Sequence, residues 1–228
     1  MKKKIQFLLN KPQLSENIGM SIRSLGCFGF DDINLINPKK VWPNDKGIRS
    51  SKHFESIAKK VKTFKSIPEA IAKSNMVIAT SVRRRDLSIP LINFEDIEKL
   101  DSKKITILFG QENNGLSNKE ISYANYILTI PTQKNKSLNL SHSVALVAYM
   151  LSRQTSVSEE KIFQNGLKSE ETEKFITYLM QLLKNRRFTT IKAKAENLEL
   201  TLRSFIKSTN IDQKMLKTAY GIIKFLTK

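Results

Sequence analysis

Between Ile5 and Leu151 the chain alternates short β-rich runs with stretches of helical periodicity, and this alternation limits the fold more than any other feature of the sequence. The runs IQFLL, INLIN, MVIAT, ITILFG and YILTI are separated by a helix expected from about Asn17 to Phe28, others near FESIAKKV and PEAIAK, and one opened by SNKE. A last helix carries Leu140, Val144, Val147 and Leu151. Strands that take turns with helices pack as a parallel sheet, because parallel neighbours need crossovers and the crossover helices cover both faces. Ser117 followed by Glu120 reads as a capping box, which fixes one helix start. Past Leu151 the pattern changes to the polar stretch SRQTSVSEEKIFQNGLK and no β-rich run follows. Three helices are expected there, carrying Phe175, Leu179 and Leu182, then Leu198, Leu202 and Phe205, and last Met215, Ala219, Ile222 and Leu226. The expected organisation is an α/β domain over 1–153, a linker over 154–168 and a helical extension over 169–228.

In an open parallel sheet, ligands bind beyond the carboxyl ends of the strands, where loops lead into helices. That rule selects NKPQLSENIGMSIRS, PKKVWPNDKG, SVRRRD, QENNGLSN and PTQKNKSLNLS. In the last loop, Ser137, Asn139 and Ser141 stand at the mouth of a helix, where capping of free N–H groups and ligand binding are both open readings. Gly110 and Gly115 suit close backbone approach or positive φ, but FGQENNGL has neither a Walker lysine nor the G-x-G-x-x-G spacing. An ordinary dinucleotide or P-loop site is thereby disfavoured. Glu112 is either an exposed loop acid or a residue that holds a neighbouring loop. Arg83 to Arg85 are a solvated run or a phosphate clamp. Asn17 reads as an N-cap and Arg23 as a surface residue. His142 alone at a helix start reads as structural. No Ser/His/Asp set, catalytic carboxylate pair or metal-ligand cluster can be assembled, so a reaction whose chemistry a cofactor carries fits the inventory better than hydrolysis or metal chemistry.

The formal net charge of +18 points to a polyanionic partner, since Lys and Arg that neutralise phosphates release counterions. The single cysteine, Cys27, allows no intramolecular disulfide, and no apolar run approaches the roughly 20 residues that cross a bilayer. The opening MKKKIQFLLNKPQ is too briefly apolar for a signal peptide and reads as a first strand. A cytoplasmic setting without membrane or metal is expected.

Taken together, ENIGMSIRSLGCFGFDDINLINP, ATSVRRRD, LFGQENNGLSNKEI and IPTQKNKSLNLSHSVALVAY resemble, in order and context, the motifs of the SPOUT-class RNA ribose 2′-O-methyltransferases. The likeness covers residues 3 to 153 and is greatest to the TrmJ branch, whose members modify a pyrimidine ribose in the tRNA anticodon loop. It implies an α/β fold with a deep trefoil knot, S-adenosylmethionine as cofactor, tRNA as partner and a homodimer as the working form. It further implies a cofactor pocket lined by Thr80, Ser81, Val82, Gly110, Ile130, Ser137, Leu138 and Asn139. Arg23, Asn17, Glu112 and Asn139 are implied nearest the chemistry, with Arg23, Arg83 and Arg85 on RNA. Methylation of another RNA such as rRNA, or RNA binding without catalysis, are the alternatives.

Overall fold

A computed structural model describes residues 4–81, 89–97, 99–100, 102–133, 136–153, 168–188, 192–209 and 211–227. Val82, Arg83, Arg85 and most of the expected linker lie outside the described residues. In chain order the elements are β1 (Lys4–Asn10), α1 (Ser15–Cys27), β2 (Ile33–Ile36), α2 (Asp45–Ser50), α3 (Glu55–Ala58), β3 (Thr63–Phe64), α4 (Ile67–Ile71), β4 (Met76–Thr80) and β5 (Leu91–Ile92). They continue with α5 (Phe94–Ile97), β6 (Lys104–Phe109), α6 (Asn118–Ile121), β7 (Tyr126–Leu128), α7 (Leu140–Ser152), α8 (Ser169–Asn185), α9 (Lys192–Ser208) and α10 (Gln213–Leu226).

The sheet has seven parallel strands in the order β3-β2-β1-β6-β4-β7-β5. Its three central strands are apolar on both faces: Phe7, Leu8, Ile78, Ala79, Ile107 and Leu108 are all fully buried. Continuous apolar runs of this kind are what a sheet covered on both sides requires. One cover is α1 with α7, where Ile18, Ile22 and Leu25 meet Val144, Val147 and Ala148 in one core. The other is formed by α4, α6 and neighbouring loops around Leu8, Ile71, Val77 and Ile121. The expected capping box at Ser117 and Glu120 is present. Beyond its cap, Glu120 accepts from Asn10 Nδ2 at 2.8 Å and Lys11 Nζ at 2.7 Å, so one carboxylate ties α6 to the end of β1. Burial works to raise the Glu120 carboxyl, but the Lys11, Ser117 and Asn10 bonds outweigh it and hold the group below the usual carboxylate range.

The helices past residue 168 form where expected, but two of them bury a face offset from the expected residues. Phe205, Met215, Ile222 and Leu226 are exposed, whereas Ile206, Leu216 and Ile223 pack with Phe175 and Ile176. Both α9 and α10 carry apolar residues on adjacent stripes, and only one stripe of each meets α8. This bundle docks where β4 and β7 begin, at the opposite end of those strands from their ligand-facing loops. Asn125 donates to the Lys207 carbonyl at 2.9 Å and accepts from Val77 N, while Ser169 N donates to the Ser74 carbonyl at 3.0 Å. The dock contains two buried cations. Arg203 meets Glu173 through two nitrogens at 3.1 Å, meets Glu199 at 2.6 Å, and lies 4.5 Å over the Tyr123 ring. Lys207 donates to Ser169 Oγ at 2.8 Å, and burial pushes its pKa down to about 8 from 10.5.

Because the Lys207 pKa is depressed on folding, the unfolded chain binds more protons between pH 8 and 10.5, so stability rises with pH across that window. Lys207→Met should stabilise the protein at pH 7 by about 1–3 kcal/mol, an advantage that shrinks above pH 8. Chemical denaturation at pH 7 and pH 10 measures both; a Lys207→Met protein less stable at pH 7 would show that the Ser169 bond outweighs the burial cost.

Candidate functional site

The described parts of the loops after β1, β6 and β7 lie at the carboxyl end of the sheet and meet beside the end of β4. Helix α1 begins two residues before Asn17, not at it, and its N-cap residue Leu14 supplies no side-chain cap. The cap comes from another loop. Glu112 accepts from Gln13 N at 2.9 Å and Leu14 N at 3.3 Å, so its carboxylate sits on the positive end of α1. These are the two N–H groups just before the helix, which starts at Ser15, so Asn17 is a buried residue of its first turn.

That burial sets up a polar chain. Asn17 Nδ2 donates to Glu112 Oε1 at 2.9 Å, and Asn17 Oδ1 accepts from Asn139 Nδ2 at 3.1 Å. Asn139 Oδ1 in turn accepts from Ser141 N at 2.8 Å and Ser141 Oγ at 2.7 Å. Asn139 therefore caps α7 and reaches Asn17 at the same time. Three residues separated by 95 and 122 positions are joined into one network, and each side-chain amide is oriented by partners at both ends.

Next to this network lies an open-mouthed cleft. Thr80, Ser81, Gly110, Ile130, Ser137 and Leu138 line it, as does Glu112. Asn139 stands outside that lining, on the network side. Phe109, Leu116, Leu128 and Leu140 supply further apolar wall, and sequence reasoning missed them. The strand-end placement of Phe109 and Leu128 was the available signal. Thr80 Oγ1 donates to the Leu108 carbonyl at 3.2 Å, which fixes its side chain to the sheet. Glu112 is the only Asp, Glu, Lys, Arg or His among the described lining residues.

Gly110 is required for a reason other than ligand approach. A Cβ there would fall on the backbone of Gly115 and Leu116. The turn from Gln111 to Gly115 closes on itself through a 3.0 Å backbone bond, with Gly115 at φ +64°. The space around Gly110 is occupied by the protein's own chain, and both glycines serve the turn that presents Glu112.

Arg23 is not brought to the network. It is exposed on α1, on a stripe with Glu16, Met20 and Cys27, about a third of a turn away from Asn17. His142 is exposed in the first turn of α7.

A family of known proteins shares this pattern: the SpoU rRNA Methylase family model matches residues 4–149. The chain belongs to that family. Among SpoU relatives, the tRNA (cytidine-2′-O-)-methyltransferase TrmJ of Methanocaldococcus jannaschii is 34% identical over 152 residues, which are 64% of this chain and 66% of that protein. The tRNA (cytidine/uridine-2′-O-)-methyltransferase TrmJ of Photorhabdus laumondii is 26% identical over 239 residues, covering 100% of this chain and 98% of the relative. The crystal structure of TrmJ from Zymomonas mobilis (Z. mobilis ZM4) superposes over the full length of both chains with a TM-score of 0.88 at 28% identity. The SpoU match ends at residue 149, within α7, so the family core is the sheet with α1 and α7, and the likeness to the Z. mobilis structure extends through α8 to α10.

Two outcomes test this geometry. Glu112→Ala should lower stability by about 1–3 kcal/mol, because it leaves the α1 N-terminus and the Asn17 amide without their acceptor. Equilibrium denaturation without any ligand reads that loss. Gly110→Ala should also destabilise the ligand-free protein; an unchanged melting temperature would return Gly110 to the role of leaving space for a ligand.

Proposed function

We propose that this chain transfers a methyl group from S-adenosylmethionine to the ribose 2′-hydroxyl of a pyrimidine nucleotide in the tRNA anticodon loop. The observation that carries the reading is the Glu112–Asn17–Asn139 chain beside the cleft at the carboxyl ends of β4, β6 and β7. The names of the M. jannaschii and P. laumondii relatives support the tRNA ribose as substrate.

The cleft fits the cofactor's chemistry. Phe109, Ile130 and Leu138 give apolar walls for a purine, and Thr80, Ser81 and Ser137 add a few polar groups. Glu112, the one ionisable lining side chain described, is an acid. An acid beside the cleft suits a positively charged sulfonium and disfavours a pyrophosphate. When bound, the cofactor supplies an electrophilic methyl group and a good leaving group. The protein's own task is to place an oxygen and bear its charge. The amides of Asn17 and Asn139, each held at both ends, give fixed hydrogen-bonding dipoles at the cleft. The Arg23 guanidinium offers donors and no acceptor, so in this reading it stabilises charge or holds a phosphate and does not act as a base. Arg83 and Arg85 are further RNA contacts, and Val82 belongs to the cofactor loop in this reading.

Arg23 points away from its own network, and a homodimer resolves this. The exposed side of α1 and α7 presents Met20, Leu146 and Tyr149 around it. Packing two copies through that surface buries these apolar groups and brings Arg23 to a partner's cleft. The division into a catalytic domain over 1–153, a linker over 154–168 and a helical extension over 169–228, the trefoil threading of the chain through the cleft loops and a cytoplasmic location belong to the same proposal. Among the described residues no helix is long and apolar enough to cross a membrane.

Methyl transfer from labelled S-adenosylmethionine to tRNA and to rRNA, followed by mapping of 2′-O-methyl sites, tests the substrate. Methylation of rRNA alone would favour the second reading that the family's description supports. Under single turnover at saturating tRNA, Arg23→Ala should lose about a hundredfold or more in rate, with little change in cofactor affinity. A wild-type rate would leave Arg23 as a surface residue.

A further inference from the structure

The loop that follows β2 opens at the same sheet edge as the cleft, and the reading above gives it no part. Between Pro38 and His53 the chain carries Lys39, Lys40, Lys46, Arg49 and Lys52 against one acid, Asp45. All five cations are exposed. Crowded like charges repel, and acidic neighbours would relieve them. Among the described residues only Lys46 has such a partner, Glu16 at 3.9 Å, and an exposed pair of that length contributes little.

The frame that carries these charges is tightly built. Trp42 is buried, and its Nε1 donates to the Ala58 carbonyl at 3.2 Å. Its ring fills the space that a Cβ on Gly47 would need, and the Gly47 carbonyl fills the space beside Gly19 of α1. Asn44 caps α2 by accepting from Gly47 N at 3.1 Å and also donates to Ser15 Oγ at 2.9 Å. Lys39 N donates to the Pro12 carbonyl at 3.0 Å. These bonds fix the charged segment to α1 within a few residues of the Glu112 cap and Asn17. Solubility alone needs no such frame. Along α1, this segment lies on one flank and α7 on the other, with the Glu16, Met20 and Arg23 stripe between them.

We propose that Lys39, Lys40, Lys46, Arg49 and Lys52 form a ridge that docks the phosphates of the RNA strand running out of the candidate site. The inference rests on the RNA methyltransferase reading and adds the path of the substrate to it. A row of cations with little apolar surface besides Val41 matches a phosphate backbone, since each contact made releases a counterion. An acidic protein partner would be expected to bury more apolar area.

The test is binding of a tRNA transcript across a salt series, using the full chain and the triple variant Lys39→Ala/Lys40→Ala/Arg49→Ala. A second variant, Lys214→Ala/Lys217→Ala/Lys224→Ala on α10, removes the same charge elsewhere. The ridge variant should bind about tenfold or more weakly near 0.1 M salt, with a log-log slope shallower by about 2, while S-adenosylmethionine affinity and melting temperature hold. The α10 variant should lose clearly less. Equal losses in both would mean that net charge alone acts, and would overturn the ridge. An unchanged slope in the ridge variant, with firm tRNA binding by the parent protein, overturns the ridge and leaves the methyltransferase reading standing. Absence of tRNA binding by the parent protein overturns both.

Discussion

The Glu112 carboxylate on the N-terminus of α1 is the interaction on which the rest of the site depends. A helix start leaves several N–H groups without partners, and a local Ser, Thr, Asn or Asp usually supplies the acceptor. Here Leu14 stands at that position and contributes none. The turn after β6 supplies an acceptor to the two N–H groups just before the helix, so the entry to α1 is held by the strand neighbour of β1. The Gln111–Gly115 turn presents the acid, α1 receives it, and Asn17 passes the bond on to the cap of α7.

This explains which features could be read from the sequence. The parallel sheet was legible because a strand buried on both faces must be largely apolar, as FLL and MVIA are. The Ser117–Glu120 box was legible because both partners lie within one turn. Strands β3 and β5 have two residues each and carry no periodicity to detect. The Asn17–Glu112 and Asn139–Asn17 bonds have no local signal, since their partners are far apart in the chain. Only the resemblance to a known family grouped those residues. Gly110 lines the cleft as expected, but the space a Cβ would take is filled by the chain's own turn: a glycine announces close approach, and not whether ligand or chain does the approaching.

The C-terminal helices obey a different constraint. On α10 the stripes through Met215 and Ile222 and through Leu216 and Ile223 are similarly apolar, so composition does not choose the buried one. The choice follows from the dock at the start of β4 and β7, where the Asn125 side chain donates to the Lys207 carbonyl and Ser169 N donates to the Ser74 carbonyl, fixing α9 and α8. Arg203 and Lys207 are buried at that dock. Two cations in such a place cost desolvation that well-packed apolar residues would avoid. Their bonds with Glu173 and Ser169 are directional, and they fix the register of α9 against α8.

The molecule thus separates its two attachments along the length of the strands. The extension is held where β4 and β7 begin, and the cleft is built where the strands end. Helix α1 spans the distance between these ends and divides its surface by function. Ile18, Ile22 and Leu25 face the sheet, Asn17 faces α7, Gly19 admits α2, and Arg23 faces outward with Met20. A single residue added at Gly19 would push α2 away from α1, because the Gly47 carbonyl already fills that space. The glycine in NIGMSIRS is therefore a packing requirement, and it sets how near the basic segment can stand to the site. Close approach of two helices at one glycine is what gives a chain of ordinary surface lysines a fixed position relative to the Glu112 cap.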